Sequence, residues 1–211
     1  MTDRQPARRI QGLYAITPDG LPAADILLRT GSVLRGGARV VQLRSKHIEG
    51  AARLALASAL RQLTGEHGAL LIINDDVTLA LQCEADGVHL GREDGDLAAA
   101  RAQLGPARLL GASCYDQLAL AQAAVAAGAD HVAFGSLFDS PTKPAAVRAP
   151  LSLFNAAAPL GVPRVGIGGV DLDTAPRAIA AGADALAVIS ALYYAPDPEG
   201  AARAFSALFS A

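Results

Sequence analysis

Residues 128–135 read Gly-Ala-Asp-His-Val-Ala-Phe-Gly, and residues 182–190 read Gly-Ala-Asp-Ala-Leu-Ala-Val-Ile-Ser. In both, a glycine and a short polar residue lead straight into an apolar run of strand length. The glycine can end a helix in the left-handed conformation, and the polar residue turns the chain into the next strand. The device recurs, less completely, as Gly37-Ala38-Arg39 before Val40 and as Ala85-Asp86 before Gly87. Successive copies lie roughly two strand–helix units apart, so the chain reads as a series of such units.

Outward from these copies, strand-length apolar runs fall at 12–17, 40–44, 69–74, 87–90, 109–113, 131–135, 164–168 and 185–190. Ala/Leu-rich stretches of helical period lie between them, as at 51–64, 116–127 and 174–181. Continuous apolar strands alternating with helices predict buried parallel strands. About eight units in one short chain predict a single-domain α/β fold, a (β/α)8 TIM barrel, over a doubly wound sheet. The domain is expected to span 1–211, with 1–10 a polar N-terminal extension.

The 211 residues are 52% hydrophobic but only 4% aromatic, with no Trp, so the core must rest on Ala, Leu, Val and Ile. A net charge of −2 gives no reason to expect nucleic acid or an anionic membrane as partner. The start of the chain is polar and basic with no apolar run behind it, unlike a signal peptide, and no apolar stretch reaches membrane-spanning length. Cys83 and Cys114 form no CxxC and read as packing residues of a cytoplasmic protein, with Cys114 placed where it could be exposed.

Barrel chemistry sits at the C-terminal strand ends, and here nearly every one carries a polar group. Gln42, Arg44 and Lys46 alternate, so an extended chain points them to one side, with Val41 and Leu43 facing the other. The Arg can clamp phosphate oxygens and the Lys adds a point charge. Asn74-Asp75 and Asp94 end neighbouring strands; two carboxylates suit Mg²⁺, which is completed by water and substrate phosphates. Asp75 has a competing reading as a helix N-cap, a role Asp76 can take instead. His89 is open to a structural or a catalytic role, while His131 and His67 read as structural, His131 on the quiet rim. Ser113, Ser140 and Thr142 have no base adjacent in sequence and read as hydrogen-bonders to ligand oxygens. Gly168-Gly169 and Ile189-Ser190 close the last two strands, where barrels bind phosphate through backbone N–H groups. The segment 136–149, rich in Pro, Ser and small residues, is expected to be a mobile loop.

Taken in order, Gly12-Leu-Tyr-Ala-Ile-Thr-Pro18, Val41-Gln-Leu-Arg-Ser-Lys46, Ile72-Ile-Asn-Asp75, Ala85-Asp-Gly-Val-His-Leu-Gly91 with Glu93-Asp94, Gly111-Ala-Ser113, Phe134-Gly135, Ser140-Pro-Thr-Lys143, Gly166-Ile-Gly-Gly169 and Val188-Ile-Ser190 resemble the thiamine phosphate synthase family over almost the whole chain. The resemblance implies a transferase that joins a hydroxymethylpyrimidine diphosphate to a thiazole phosphate and releases pyrophosphate. It implies that Gln42, Leu43, Arg44, Ser45, Lys46, Asn74, Ser113 and Lys143 hold the pyrimidine diphosphate, with Arg44, Lys46, Ser113 and Lys143 catalytic. Asp75 and Asp94 would hold Mg²⁺. Ser140, Pro141, Thr142, Gly169, Ile189 and Ser190 would hold the thiazole phosphate. The expected partners are these small molecules, with a homodimer entertained. Two departures stand out: Arg92 where the family often has Gln, and Asp139-Ser140 in place of a more usual Pro-Thr. A thiazole tautomerase of the same fold is the nearest rival, but its expected His two residues after Ser113 is Tyr115 here. A non-catalytic binder of thiamine precursors and a generic phosphosugar barrel are the others.

Overall fold

The computed structural model describes residues 10–139 and 147–210. Eight parallel strands close in sequence order, with β1 hydrogen-bonded to both β2 and β8. They are β1 (Gly12–Ile16), β2 (Val40–Leu43), β3 (Leu70–Asn74), β4 (Gly87–Leu90), β5 (Leu109–Tyr115), β6 (His131–Phe134), β7 (Arg164–Ile167) and β8 (Ala185–Val188). Helices α1 (Ala23–Arg35), α2 (Gly50–Glu66), α3 (Val77–Gln82), α4 (Leu97–Leu104), α5 (Leu118–Ala126), α6 (Ser152–Ala156) and α7 (Ala175–Ala180) alternate with them. After β8 come the short α8 (Ser190–Tyr193) and the closing α9 (Pro198–Ala207). The strand order and the barrel match the expectation. Most strands end a residue or two before the sequence reading placed them, because the polar end residues turn into loops. β5 alone runs longer, with a register shift between Ser113 and Tyr115.

Side-chain alternation sorts each strand into two layers. Tyr14, Ile16, Val40, Leu70, Ile72, Ala133, Val165, Ala185 and Ala187 fill the barrel interior. Leu43, Leu71, Ile73, Val88 and Leu110 face the helices on one side, and Leu13, Val132, Phe134, Leu186 and Val188 on the other. With so few aromatics, the outer layer closes through small residues: Ala121, Ala124, Ala175, Ala178 and Ala202 are all buried. Cys83 and Cys114 are buried free thiols. Cys114 lies on the helix-facing side of β5, so alternation hides it despite its place near the strand end, and burial pushes its thiol up to about 12.

The recurring Gly-Ala-Asp device has a second use that the sequence did not show. Asp86, Asp130 and Asp184 each precede an even-numbered strand, and each accepts a backbone N–H from the strand before it. The donors are Leu71, Leu110 and Arg164, at 2.8, 2.9 and 2.8 Å. Arg101 pairs with Asp130, and Arg164 with Asp184. The carboxylates thus stitch the N-terminal rim. No helix among the described residues is long and apolar enough to cross a membrane.

Candidate active site

At the C-terminal end of β2, Gln42 points into the barrel and is buried, 3% exposed. Its amide donates to the Asn74 Oδ1 at 3.4 Å, diagonally across β2 and β3, since the register pairs Gln42 with Ile72. Arg44 and Lys46 follow outside the strand. The Arg44 guanidinium is paired with Asp19, whose other oxygen accepts the Lys46 N–H at 2.9 Å. Thr17 Oγ1 accepts the Arg44 N–H and donates to the Arg44 carbonyl, both at 2.9 Å. The loops after β1 and β2 are therefore locked together around Arg44. Ser45 Oγ accepts the Ile48 N–H at 3.2 Å, which turns the chain toward α2. Leu43 packs its side chain against the helices, so any contact it makes with a ligand runs through its main chain.

Asp75 stands just beyond β3 in the left-handed region, φ 63°. That turn divides the labour of two adjacent carboxylates. Asp76 caps α3, accepting the Leu79 N–H at 2.8 Å, and pairs with Arg53 at 3.1 Å. Asp75 is left facing Asp94, with the Asn74 amide donating to it. Asp94 Oδ2 accepts the Gly91 N–H at 3.0 Å. Burial, reinforced by the Asp94 carboxylate, pushes the Asp75 carboxyl up to about 6. Two hard-oxygen groups that repel each other fit a divalent cation. Among the described residues no cluster of three or more His, Cys, Asp or Glu side chains could hold a metal. The pair alone suits an ion that takes its remaining ligands from water and substrate phosphate, as Mg²⁺ does. Beside the pair, the Arg92 guanidinium lies 4.8 Å above the ring of Tyr115.

Ser113 reaches the same mouth from β5, half-buried, with its hydroxyl 3.0 Å from His89 Nε2. His89 Nδ1 lies in turn 3.4 Å from His131 Nε2. Both imidazoles are buried, and burial holds His89 down at about 4 and His131 well below the ordinary histidine value. His131 is thus an interior residue, not a rim one. A Cβ on Gly111 would strike the rings of both histidines, so the glycine makes the room in which they meet.

Across the barrel, Gly168 and Gly169 take φ 96° and 64°. Cβ atoms there would collide with Ser136 and with the backbone of Phe138 and Asp139. The glycines therefore let the segment after β6 lie along the end of β7, where Leu137 and Phe138 donate to the Ile167 and Gly168 carbonyls, each at 2.9 Å. Ile189 caps α8 and Ser190 opens it. Ser140, Pro141, Thr142 and Lys143 lie outside the described residues, as do the rest of 140–146 within the loop expected to be mobile and the N-terminal extension through Arg9.

Asp19 and the partnership of His89 with His131 were missed from sequence. Asp19 reads as a turn residue after Pro18. His89 and His131 are 42 positions apart, and only the β4–β5–β6 register, His89 beside Gly111 beside His131, brings them together.

The family model for thiamine monophosphate synthase matches residues 13–192. The thiamine-phosphate synthase of Chromobacterium violaceum is 54% identical over 203 residues, covering 96% of this chain and 98% of that protein. The one from Methylobacillus flagellatus is 53% identical over 95% of this chain and 96% of its own. Among solved structures, a thiamine phosphate pyrophosphorylase from Pyrococcus furiosus superposes with a TM-score of 0.84 at 32% identity, covering 96% of this chain and 97% of that one.

Proposed function

The chain belongs to the thiamine monophosphate synthase family, and we propose from that membership how its barrel mouth carries out the reaction. It is a transferase of thiamine biosynthesis with thiamine-phosphate synthase activity. The substrates are 4-amino-2-methyl-5-hydroxymethylpyrimidine diphosphate and 4-methyl-5-(2-phosphoethyl)thiazole. The thiazole nitrogen forms a bond to the pyrimidine methylene, the bond from that carbon to the diphosphate oxygen breaks, and thiamine phosphate and pyrophosphate leave.

Asp75 and Asp94 would hold Mg²⁺, which would neutralise charge on the diphosphate. Arg44, Lys46, Ser113 and Lys143 supply fixed positive charge and hydrogen-bond donors where the pyrophosphate develops its charge. Gln42 and Asn74, linked to each other, orient the pyrimidine without adding an anion that would trap a cationic intermediate. The amino-pyrimidine delocalises positive charge on its methylene, so the displacement is dissociative. Ser140, Pro141, Thr142, Gly169, Ile189 and Ser190 hold the thiazole phosphate on the far side of the mouth. The barrel occupies one domain behind a polar extension at 1–10, in the cytoplasm.

The observation that carries this reading is the facing pair Asp75–Asp94 beside the cationic end of β2. A thiazole tautomerase would need an acid–base residue where Tyr115 stands and has no use for the acidic pair. The test is pyrophosphate release from purified protein with each substrate alone and with both, with and without Mg²⁺. Release that needs all three components, with thiamine phosphate in equal amount, is expected. Release from the pyrimidine diphosphate alone, or none in the complete mixture, overturns the reading.

A further inference from the structure

The interior of the barrel holds more polar chemistry than the reaction above uses. Below Ser113 lie His89 and His131, and beside His131 lies Tyr14, with ring centroids 6.4 Å apart. All three rings are buried. The Tyr14 hydroxyl and His131 Nδ1 have no hydrogen-bond partner among the described residues, although buried polar groups are nearly always paired.

Donor and acceptor counting favours one direction for such a chain. If His131 Nδ1 carried the proton and gave it to the phenol oxygen, the buried phenol O–H would be left without an acceptor. If the phenol O–H instead donates to one buried water that donates on to Nδ1, the phenol proton is satisfied and the fewest buried donors are stranded. His131 then carries its proton on Nε2 and donates across the long 3.4 Å contact to His89 Nδ1. His89 in turn carries its proton on Nε2 and donates to Ser113 Oγ at 3.0 Å. The Ser113 oxygen is thereby occupied as an acceptor, and its own O–H is left to point into the mouth. The opposite direction would have Ser113 donate inward to His89 and offer only lone pairs to an anionic ligand.

We propose that Tyr14, His131 and His89 form a directional chain of neutral hydrogen bonds that turns the Ser113 hydroxyl outward as a donor to the departing pyrophosphate, with His131 as the positioning residue that passes on the direction Tyr14 sets. The proposal rests on the function given above for the identity of the anion, but not for the direction of the chain. Burial that keeps both imidazoles neutral supports it, since a neutral ring has one donor and one acceptor nitrogen and can pass a direction on. A chain of this kind also explains why Ser113 has a histidine beside it without being a nucleophile: the histidine gives it a proton to accept and does not take one away.

The test reads the tautomers directly. Nitrogen-15 NMR of protein labelled at its four histidines, assigned with single-histidine variants, is expected to show both His89 and His131 neutral and protonated on Nε2 near pH 7.5. His89 protonated on Nδ1 overturns the proposal. In Tyr14→Phe the direction is no longer imposed, and the His89 proton is expected to divide between its two nitrogens. His131→Phe keeps the ring bulk and is expected to lower kcat about tenfold with KM for the pyrimidine diphosphate within about twofold. His131→Gln, which can still donate to His89, should recover most of that loss. A structural role alone would lower the melting temperature of both variants alike and leave the His89 tautomer unchanged, which also overturns it. Should the wild-type protein form no thiamine phosphate, the proposed function falls while the NMR experiment still decides the direction of the chain.

Discussion

Asp19 holds Arg44 and Lys46 with one carboxylate: the Arg44 guanidinium on one oxygen, the Lys46 backbone N–H on the other. The two cations that read as a free phosphate clamp in the sequence are therefore set in place by an acid from the neighbouring loop. Asp19 does two separable things. It anchors the loop, which needs only an acceptor, and it offsets positive charge, which needs an anion.

Asp19→Asn and Asp19→Ala separate these roles. The Asn variant keeps an acceptor for Lys46 and removes the competing charge, so KM for the pyrimidine diphosphate should stay level or fall slightly. The Ala variant loses the anchor as well, and KM should rise about fivefold, the scale of one part-exposed charged hydrogen bond, roughly 1 kcal/mol. Steady-state kinetics at fixed Mg²⁺ checks both. Equal losses in Asn and Ala, which both lack the charge, would mean that the charge itself, and not the anchor, is what the site needs.

The Asp75–Asp94 pair gives the metal-free protein a distinct response to pH. Asp75 is pushed up to about 6 from its ordinary 3.8, so in that window the folded protein binds a proton that the unfolded chain has lost. Its contribution to stability is full below about 4 and is lost as pH rises through 6. The buried His89 and His131 act in the opposite direction, since both are held below their ordinary value. The contrast of wild type with Asp75→Asn isolates the carboxylate. In EDTA the Asn variant should gain on wild type between pH 5 and 7.5 by about 1 kcal/mol after solvent screening, or roughly 2–4 °C in melting temperature. Mg²⁺ should erase much of the wild-type deficit at pH 7.5. Parallel melting curves for the two proteins across this range would show that Asp75 is not strained by its neighbour.

The barrel was legible because its signals are local and repeated. Apolar runs, helical periods and the Gly-Ala-Asp copies each need only a dozen residues of context. Gln42, Asn74, Asp75 and Asp94 were legible for the same reason, as polar residues at predicted strand ends. What escaped depends on closure. Asp19 meets Arg44 only because β1 and β2 lie side by side, and His131 turned out to be interior because it shares a strand face with Ala133 of the barrel interior and lies beside Gly111, which leaves room for its ring. Leu43 shows the reverse case: alternation correctly turned its side chain outward, and a motif match listed it among contacts that only its main chain can make.

Removing one electrostatic stabiliser of the leaving group should be costly. Asp75→Ala and Lys143→Ala are each expected to lower kcat/KM by an amount equal to at least ~2–4 kcal/mol. The two should differ in how Mg²⁺ enters: the Asp75 variant should need far more Mg²⁺ for half-maximal rate, and the Lys143 variant should not. Wild-type rates in both would remove the assigned roles.

Gly111 is where the interior tolerates no side chain. A Cβ would meet the His131 ring and His89 Nδ1, and neither ring can retreat, since each is buried among strands. Gly111→Ala should destabilise the protein by about 1–3 kcal/mol through overpacking, and it should lower kcat beyond what the loss of folded protein explains, because it parts the two histidines. Pairing it with His131→Ala, which vacates the space, should recover stability but not kcat. Recovery of both would show that the glycine serves packing alone.

Arg92 brings a positive charge to the loop that carries Asp94, two residues away, and stacks on Tyr115 at 4.8 Å. Tyr115 itself takes φ 53° at the end of β5, a conformation costly for an aromatic residue and concentrated at functional sites. A cation beside two carboxylates weakens their hold on a dication through the field alone. Arg92→Gln should therefore lower the Mg²⁺ concentration for half-maximal rate by roughly twofold, leave kcat within about twofold, and forfeit about 0.5–1 kcal/mol of stacking. The effect should shrink between 20 and 300 mM salt, as the Debye length contracts to less than ~10 Å. A rate loss that persists at high salt would mean that Arg92 touches the diphosphate, and Tyr115→Leu, which removes the platform but keeps the charge, should then reproduce most of it.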